Sequence, residues 1–131
     1  MKILIVDDNE DARTILKMTL ESNGYSVKVA SNGKEALKAA KESPPDMIIS
    51  DILMPVMDGF QLCREVTADE ILRDIPFVFY TATYTDKKDE ELALQLGADR
   101  FIRKPAERDE LMKIIQGVIR DAKEGRLKAR A

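Results

Sequence analysis

Five short apolar runs, separated by helix-length segments, constrain the fold of this 131-residue chain more than any other feature. The runs are rich in β-branched and aromatic residues, which is typical of strands. The segments between them have the apolar spacing of amphipathic helices. Because strands and helices alternate along the chain, they predict an α/β fold in which helices cover both faces of a parallel sheet.

The predicted strands are KILIV (2–6), YSVKVA (25–30), DMIIS (46–50), FVFYT (77–81) and RFIRK (100–104). Strands 1, 3 and 4 are almost wholly apolar, as expected of strands that are covered on both faces. The pattern predicts a doubly wound (βα)5 fold whose five-stranded parallel sheet has the flavodoxin-like order 2-1-3-4-5. In such a sheet, functional groups gather where the carboxyl ends of strands 1 and 3 diverge.

Turn residues and helix-breaking residues set the bounds of the predicted helices. We predict helices over 10–22, from 31 to before Pro44, from 59 to before Pro76 with a break near 67–70, over 86–96, and after Pro105. The first helix is expected to bury Ala12, Ile15, Leu16, Thr19 and Leu20. The fifth is expected to bury Leu111, Ile114, Ile115, Val118 and Ile119. Leu127 continues that stripe, so helix 5 either extends as a connector or ends in a frayed tail.

The length and a hydrophobic content of 44% fit one domain with a single core, which we place at residues 1–119. Residues 120–131 carry five basic and two acidic side chains, a net charge of +3, and are predicted to be a basic extension of helix 5 or a linker. Since the whole chain carries −3, residues 1–119 carry −6. This acidic body argues against broad binding of nucleic acid or anionic membranes and is compatible with a bound metal cation.

The chain has one cysteine, no histidine and no signal-like segment. One cysteine cannot form a disulfide framework, so we expect a reducing, cytoplasmic location. The absence of histidine excludes histidine nucleophiles, imidazole bases and most zinc sites. Cys63 falls in an apolar helical pattern and is interpreted as a core residue.

Acidic residues follow two strands that end at the same edge of the predicted sheet. Asp7 and Asp8 come after strand 1, and Asp51 comes after strand 3. Clustered carboxylates repel one another unless a cation lies among them, and oxygen ligands suit Mg²⁺. Asp7 and Asp8 alone would fit a helix cap equally well. Asp51, which directly follows an apolar strand, favours the metal site.

Two more polar residues lie at this edge: Thr81 ends strand 4, and Lys104 ends strand 5. Taken singly, the threonine fits a strand filler and the lysine fits a solvated charge. Together, a cation, a hydroxyl donor and an ammonium group around one carboxylate form the set that receives a phosphoryl group. Asp51 would then be the nucleophile that forms an aspartyl phosphate. We expect Lys104 to become a counter-charge only once the phosphoryl group has arrived.

The motifs Asp7-Asp8, DILMPVMDG (51–59), YTA (80–82) and RKP (103–105) occur in this order at the ends of strands 1, 3, 4 and 5. Their spacing resembles the receiver domain of two-component response regulators over about residues 1–119. The resemblance implies that Asp51 is the phosphoacceptor. It also implies a Mg²⁺ ion held by Asp8 and Asp51 directly, by Asp7 mainly through water, and by the backbone carbonyl of Leu53.

The same resemblance assigns a switch. Thr81 and Lys104 would contact the phosphoryl group, and Lys104–Pro105 would be a cis peptide bond. Thr81 would move toward the phosphoryl oxygens and leave space into which Phe101 rotates inward. This movement would alter the surface of helix 4, strand 5 and helix 5, which is the usual output surface of the family.

The resemblance also implies partners. The phosphoryl group would come from a sensor histidine kinase or a histidine phosphotransfer domain. The receiver would catalyse only its own phosphorylation and dephosphorylation, so it is not expected to be an enzyme for other substrates. An output domain, an output protein or a second copy in a homodimer would bind the output surface, with no direct binding of nucleic acid or membrane.

Three other interpretations stay open on the sequence. The chain also fits a receiver module of a hybrid sensor kinase or of a multidomain regulator. A Mg²⁺-dependent phosphohydrolase with an aspartyl nucleophile would carry Asp-x-Asp after strand 1, where this chain has Asp7-Asp8-Asn9. A flavodoxin-like nucleotide carrier would need Gly, Ser or Thr amides after strand 1, where the sequence DDNE would repel phosphate.

Overall fold

The computed structural model describes residues 1–125. Its strands are β1 (Lys2–Val6), β2 (Ser26–Ala30), β3 (Met47–Ser50), β4 (Phe77–Thr81) and β5 (Arg100–Arg103). Its helices are α1 (Glu10–Ser22), α2 (Gly33–Glu42), α3 (Gly59–Ala68), α4 (Lys87–Gln95) and α5 (Arg108–Lys123). Within this range, no helix is both long enough and apolar enough to span a membrane.

The five strands form one parallel sheet in the order β2-β1-β3-β4-β5. The predicted α/β, flavodoxin-like (βα)5 fold is therefore confirmed. The register of β1 on β3 pairs Val6 with Ser50. Because these two residues end their strands side by side, the residues that follow them emerge at one edge of the sheet.

Alternate strand residues enter two separate cores, one on each face of the sheet, so the single core expected from the length and composition is divided in two. Ile3 and Ile5 pack against α1 and α5, on what we call the α1–α5 face. Leu4 and Val6 pack against α2, α3 and α4, on the α2–α4 face. Burial of both faces explains why β1, β3 and β4 are nearly all apolar, whereas β2 lies at the sheet edge and is partly exposed.

Helices α1 to α4 each begin directly after a side chain that caps the first turn. Asn9, Asn32, Asp58 and Asp86 each accept a hydrogen bond from the backbone N–H three residues further on. First-turn N–H groups have no partner within the helix, so each cap stabilises its helix by about 1 kcal/mol. Asn9 lies two residues after Asp7 and thereby fixes the start of α1 at Glu10.

The structure corrects the predicted burial of two helices. The periodicity predicts that Ile15 is buried, but its side chain is 66% exposed because it borders an open groove between α1 and α5. Met112, which lies outside the predicted stripe of α5, is buried beside Ile115. α5 continues to Lys123, past residue 119, while Leu127 lies outside the described residues.

Candidate functional site

The carboxyl ends of β1 and β3 bring three aspartates together. The backbone N–H of Asp51 donates to the carbonyl of Val6 at 2.8 Å, which continues the ladder one residue past β3 and places Asp51 beside Asp7. Asp7, Asp8 and Asp51 each offer a carboxylate oxygen, and these oxygens all lie within 4.8 Å of one another. Asp7 is buried, Asp51 is half-buried and Asp8 is exposed, so the cluster opens to solvent on one side.

This donor set suits a hard divalent cation. Carboxylate oxygens are the ligands that Mg²⁺ takes in proteins, usually together with water and few protein groups. An exposed Asp8 leaves one side of the cluster accessible to an ion and its water. The residues present therefore fit the predicted magnesium site. Leu53, the remaining predicted ligand, lies in the loop after Asp51 with an exposed side chain.

Hydrogen bonds and a close glycine contact restrict the backbone around Asp51. The Oδ1 atom of Asp51 accepts a hydrogen bond from the N–H of Ile52 at 2.7 Å, and the Ser50 hydroxyl donates to the Asp51 carbonyl at 2.7 Å. Gly59 packs against the same carbonyl: a Cβ atom at this position would lie 2.2 Å from it. The absence of a side chain at position 59 therefore permits the present position of Asp51.

Lys104 reaches into this cluster from the end of β5. Its Nζ atom lies 2.8 Å from Oδ2 of Asp7 and 3.4 Å from Oδ2 of Asp51. Burial by itself lowers the pKa of Lys104, but the hydrogen bond to Asp7 and the charges of Asp51 and Asp7 outweigh it and raise this pKa above its ordinary value. The expectation that Lys104 serves as a counter-charge only after phosphorylation is thus wrong, because the ammonium already pairs with both carboxylates.

Thr81 is fully buried at the end of β4, and its hydroxyl is engaged within its own loop. Its Oγ1 atom lies 3.0 Å from the carbonyl of Thr83 and 3.1 Å from the Thr83 hydroxyl. Its carbonyl accepts from the backbone N–H of Lys104 at 2.8 Å. The structure therefore places Thr81 next to Lys104 at the predicted edge, with its hydroxyl on Thr83.

Phe101 lies on the α2–α4 face of β5 and is only 8% exposed. Its ring centroid is 6.4 Å from that of Phe79, and the Arg103 guanidinium lies 5.3 Å from the ring centroid. The inward rotation implied by the family resemblance therefore does not start from this conformer, in which the ring is already inside. The predicted cis Lys104–Pro105 bond is present.

Arg103 connects three elements beside this aromatic ring. Its Nε atom donates to the Thr85 carbonyl at 2.9 Å, and its Nη2 atom lies 2.7 Å from Oε1 of Glu90 on α4. The segment between β4 and α4 is therefore attached to β5 through one side chain. Sequence patterns do not predict these two contacts, because Arg103 is 18 positions from Thr85 and 13 from Glu90.

A groove of about 390 Å³ lies beside the carboxylate cluster, between α1 and α5. Asp7 and Lys104 contribute to its wall, and Ile15, Leu16 and Leu111 supply apolar surface. Met18, one helical turn after Ile15, is 64% exposed. An apolar surface of this kind next to a polar site is typical of a surface that receives a partner.

A family model for the response regulator receiver domain matches residues 3–116. The chain belongs to this family. Receiver domains are the phosphoacceptor signalling modules of two-component systems. The match covers the candidate site and all but the first residue of the five strands.

Curated relatives and solved structures agree with the family match. The alkaline phosphatase synthesis transcriptional regulatory protein PhoP of Bacillus subtilis is 37% identical over 91% of this receiver domain and 48% of its own length. The chain thus spans about half the length of PhoP, as it does of several other curated regulators.

Among solved structures, the receiver domain of a signal transduction histidine kinase from Syntrophus aciditrophicus is 39% identical, with a TM-score of 0.83 over 91% of this chain and 89% of that one. The receiver domain of sensor histidine kinase PA1611 from Pseudomonas aeruginosa is 36% identical, with a TM-score of 0.82 over 90% of this chain and 96% of that one. That structure has a magnesium ion coordinated in its active site cleft.

Sequence reasoning missed two residues that contact the site. The Arg13 guanidinium donates to the carbonyl of Asp7 at 2.8 Å and so ties α1 to the end of β1. The Tyr80 ring centroid lies 5.2 Å from the Lys104 ammonium. Strand alternation could have indicated Tyr80, because it shares the α1–α5 face with Val78 and lines the same groove as Lys104.

Proposed function

We propose that this receiver domain accepts a phosphoryl group on the carboxylate of Asp51 from the phosphohistidine of a sensor histidine kinase or a histidine phosphotransfer domain. The strongest support is the geometry of the cluster formed by the three aspartates and Lys104. The oxygens of Asp7, Asp8 and Asp51 lie within 4.8 Å of one another, and the ammonium of Lys104 lies 3.4 Å from Asp51. This arrangement combines a nucleophile with groups that balance the charge of a phosphoryl group.

In the transfer, a carboxylate oxygen of Asp51 attacks phosphorus and forms an O–P bond while the P–N bond to the donor imidazole breaks. The imidazole leaves with the electron pair of that bond. The Lys104 ammonium then leaves a carboxylate oxygen and pairs with a phosphoryl oxygen instead. Because the ammonium already lies at the cluster, only a short displacement is required.

Asp7, Asp8, Asp51 and the carbonyl of Leu53 would hold Mg²⁺ in this proposal. When bound, the ion supplies positive charge that offsets the negative charge of the phosphoryl oxygens. The acidic cluster supports this assignment, since Lys104 supplies one positive charge for three carboxylates, and the negative charge that remains favours a bound cation.

Thr81 and Phe101 form the proposed switch. Thr81 would release Thr83 and donate its hydroxyl to the phosphoryl group, and the loop that carries Thr83 would follow. Arg103 lies over the Phe101 ring, donates to the carbonyl of Thr85 in that loop and pairs with Glu90 on α4. Phosphorylation would therefore alter the surface of α4, β5 and α5, where an output domain, an output protein or a second copy of the receiver would bind.

The groove between α1 and α5 is the proposed docking surface for the phosphoryl donor. It lies directly beside the cluster, since Asp7 and Lys104 line it, and its exposed Ile15 offers an apolar contact to a helix of the partner. We assign this exchange to the cytoplasm, where the single cysteine is compatible with a reducing compartment. The receiver would catalyse only its own phosphorylation and dephosphorylation.

A transfer assay tests the proposal. A histidine phosphotransfer domain, labelled on its histidine, is mixed with the receiver and Mg²⁺, and the label is followed on both proteins. We expect the label to move to the wild-type receiver and not to Asp51→Asn. Rapid release of free phosphate from unrelated phosphate esters would instead favour a phosphohydrolase.

A further inference from the structure

Lys104 has a third neighbour besides its two carboxylate partners. The ring of Tyr80, from the adjacent strand β4, has its centroid 5.2 Å from the Nζ atom. An ammonium within about 6 Å of an aromatic centroid is attracted by the negative face of the ring. The Lys104 side chain is 20% exposed, so water screens this contact less than it would at an open surface.

Strand alternation places Tyr80 and Lys104 on the same face of the sheet. Val78, Tyr80 and Ile102 all belong to the core on the α1–α5 face, and β4 pairs Tyr80 with Ile102. Lys104, two residues after Ile102, extends the same alternation. Thr81 and Phe101 fall on the opposite alternation, so Tyr80 acts on the lysine and not on the proposed switch residues.

We propose that Tyr80 is a positioning residue for Lys104 in the phosphoryl transfer. This inference rests on the proposed function of Asp51. The ring offers the ammonium an attractive surface that does not depend on Asp7 or Asp51. Lys104 therefore keeps its contact with the ring while its ammonium moves from a carboxylate oxygen to a phosphoryl oxygen. The ring also reduces the number of side-chain rotamers that compete with the one that reaches the phosphoryl group.

An aliphatic side chain would also fill this strand position, but it has no π face with negative electrostatic potential to attract the ammonium. Tyr80 is half-buried and lines the groove beside the cluster, so its ring is not enclosed in the core. A role in packing and a role toward Lys104 make different predictions for phenylalanine and leucine, because phenylalanine keeps the ring.

The experiment uses the full chain, with Tyr80→Phe and Tyr80→Leu compared in two measurements. The first is the proton NMR of the Lys104 side chain in the unphosphorylated protein, assigned with the help of Lys104→Arg. We expect a ring-current shift in the wild type that Tyr80→Phe retains and Tyr80→Leu abolishes. The second is the rate constant of phosphorylation by acetyl phosphate at saturating Mg²⁺. We expect Tyr80→Leu to lower it by about fivefold and Tyr80→Phe to leave it nearly unchanged.

Tyr25→Leu is the matched control, because Tyr25 is also half-buried and packs against the same core on the α1–α5 face. It should leave both readouts at wild-type values. A fall in rate equal to that of Tyr80→Leu would show a general loss of stability and overturn the inference. Should Tyr80→Leu not fold, an unshifted Lys104 resonance in the wild type would overturn it equally. Labelling of Asp51→Asn would instead overturn the proposed function and leave the NMR result standing.

Discussion

The Nζ atom of Lys104 lies 2.8 Å from Oδ2 of Asp7, although the two residues are 97 positions apart in the chain. The Asp7 side chain is only 8% exposed, so the pair neutralises the most buried carboxylate of the cluster. A buried carboxylate that loses its partner is costly. Lys104 therefore has a structural role in the resting receiver as well as its proposed role in phosphoryl transfer.

Removing the ammonium should destabilise the receiver in the absence of Mg²⁺. We expect Lys104→Met to lower the free energy of unfolding by about 1–2 kcal/mol, since the site is partly open to solvent. Denaturant unfolding in the presence of a chelator measures this value. Lys113→Met, at an exposed position on α5, is the control and should change little. Equal stabilities of wild type and Lys104→Met would show that the pair is energetically neutral.

Mg²⁺ should stabilise the native receiver through the carboxylate cluster. Binding to the native state alone adds about 2.7 kcal/mol at a free ion concentration of 100 times Kd. We expect thermal unfolding to shift upward with Mg²⁺ in the wild type and much less in Asp8→Asn. Asp11→Asn removes an exposed acidic residue in the first turn of α1 and should retain the full shift. A full shift in Asp8→Asn would place the ion elsewhere.

Glycine at position 59 should be required for the geometry of Asp51. In Gly59→Ala the new Cβ atom would lie 2.2 Å from the Asp51 carbonyl oxygen and 2.9 Å from the Ile52 Cα. Both are backbone atoms, which cannot relieve the clash by a change of rotamer. We expect a destabilisation of about 1–3 kcal/mol and slower phosphorylation. In Gly117→Ala the nearest atom is a terminal nitrogen of Arg120 at 3.7 Å, so this helical control should gain up to about 1 kcal/mol.

The fold and the acidic site could be predicted from the sequence because both follow from the alternation of strands and helices and from the residues that end each strand. Asp7 and Asp51 each follow an apolar strand, and parallel strands bring their carboxyl ends to one edge. The resting partners of Lys104 could not be predicted, because its reach depends on side-chain rotamers rather than on strand order. The burial predicted for Ile15 is wrong for a related reason. Periodicity identifies the apolar face of a helix, but burial of a side chain on that face also requires a neighbouring element that covers it.

Arg103 should hold the segment between β4 and α4 in its resting position. It bonds the Thr85 carbonyl and pairs with Glu90, so we expect Arg103→Ala to speed amide hydrogen exchange over residues 82–90. Arg100→Ala, an exposed arginine on the same strand, is the matched control and should leave exchange there unchanged. Identical exchange in both variants would show that other contacts hold this segment.

Intact-protein mass spectrometry under mild conditions tests most directly whether Asp51 is the phosphoacceptor. The wild type, Asp51→Asn and Asp11→Asn are incubated with Mg²⁺ and acetyl phosphate. We expect the wild type and Asp11→Asn to gain one phosphoryl group that hydroxylamine removes, as an acyl phosphate requires. Asp51→Asn should gain none. Labelling of a folded Asp51→Asn variant to the wild-type extent would contradict the account.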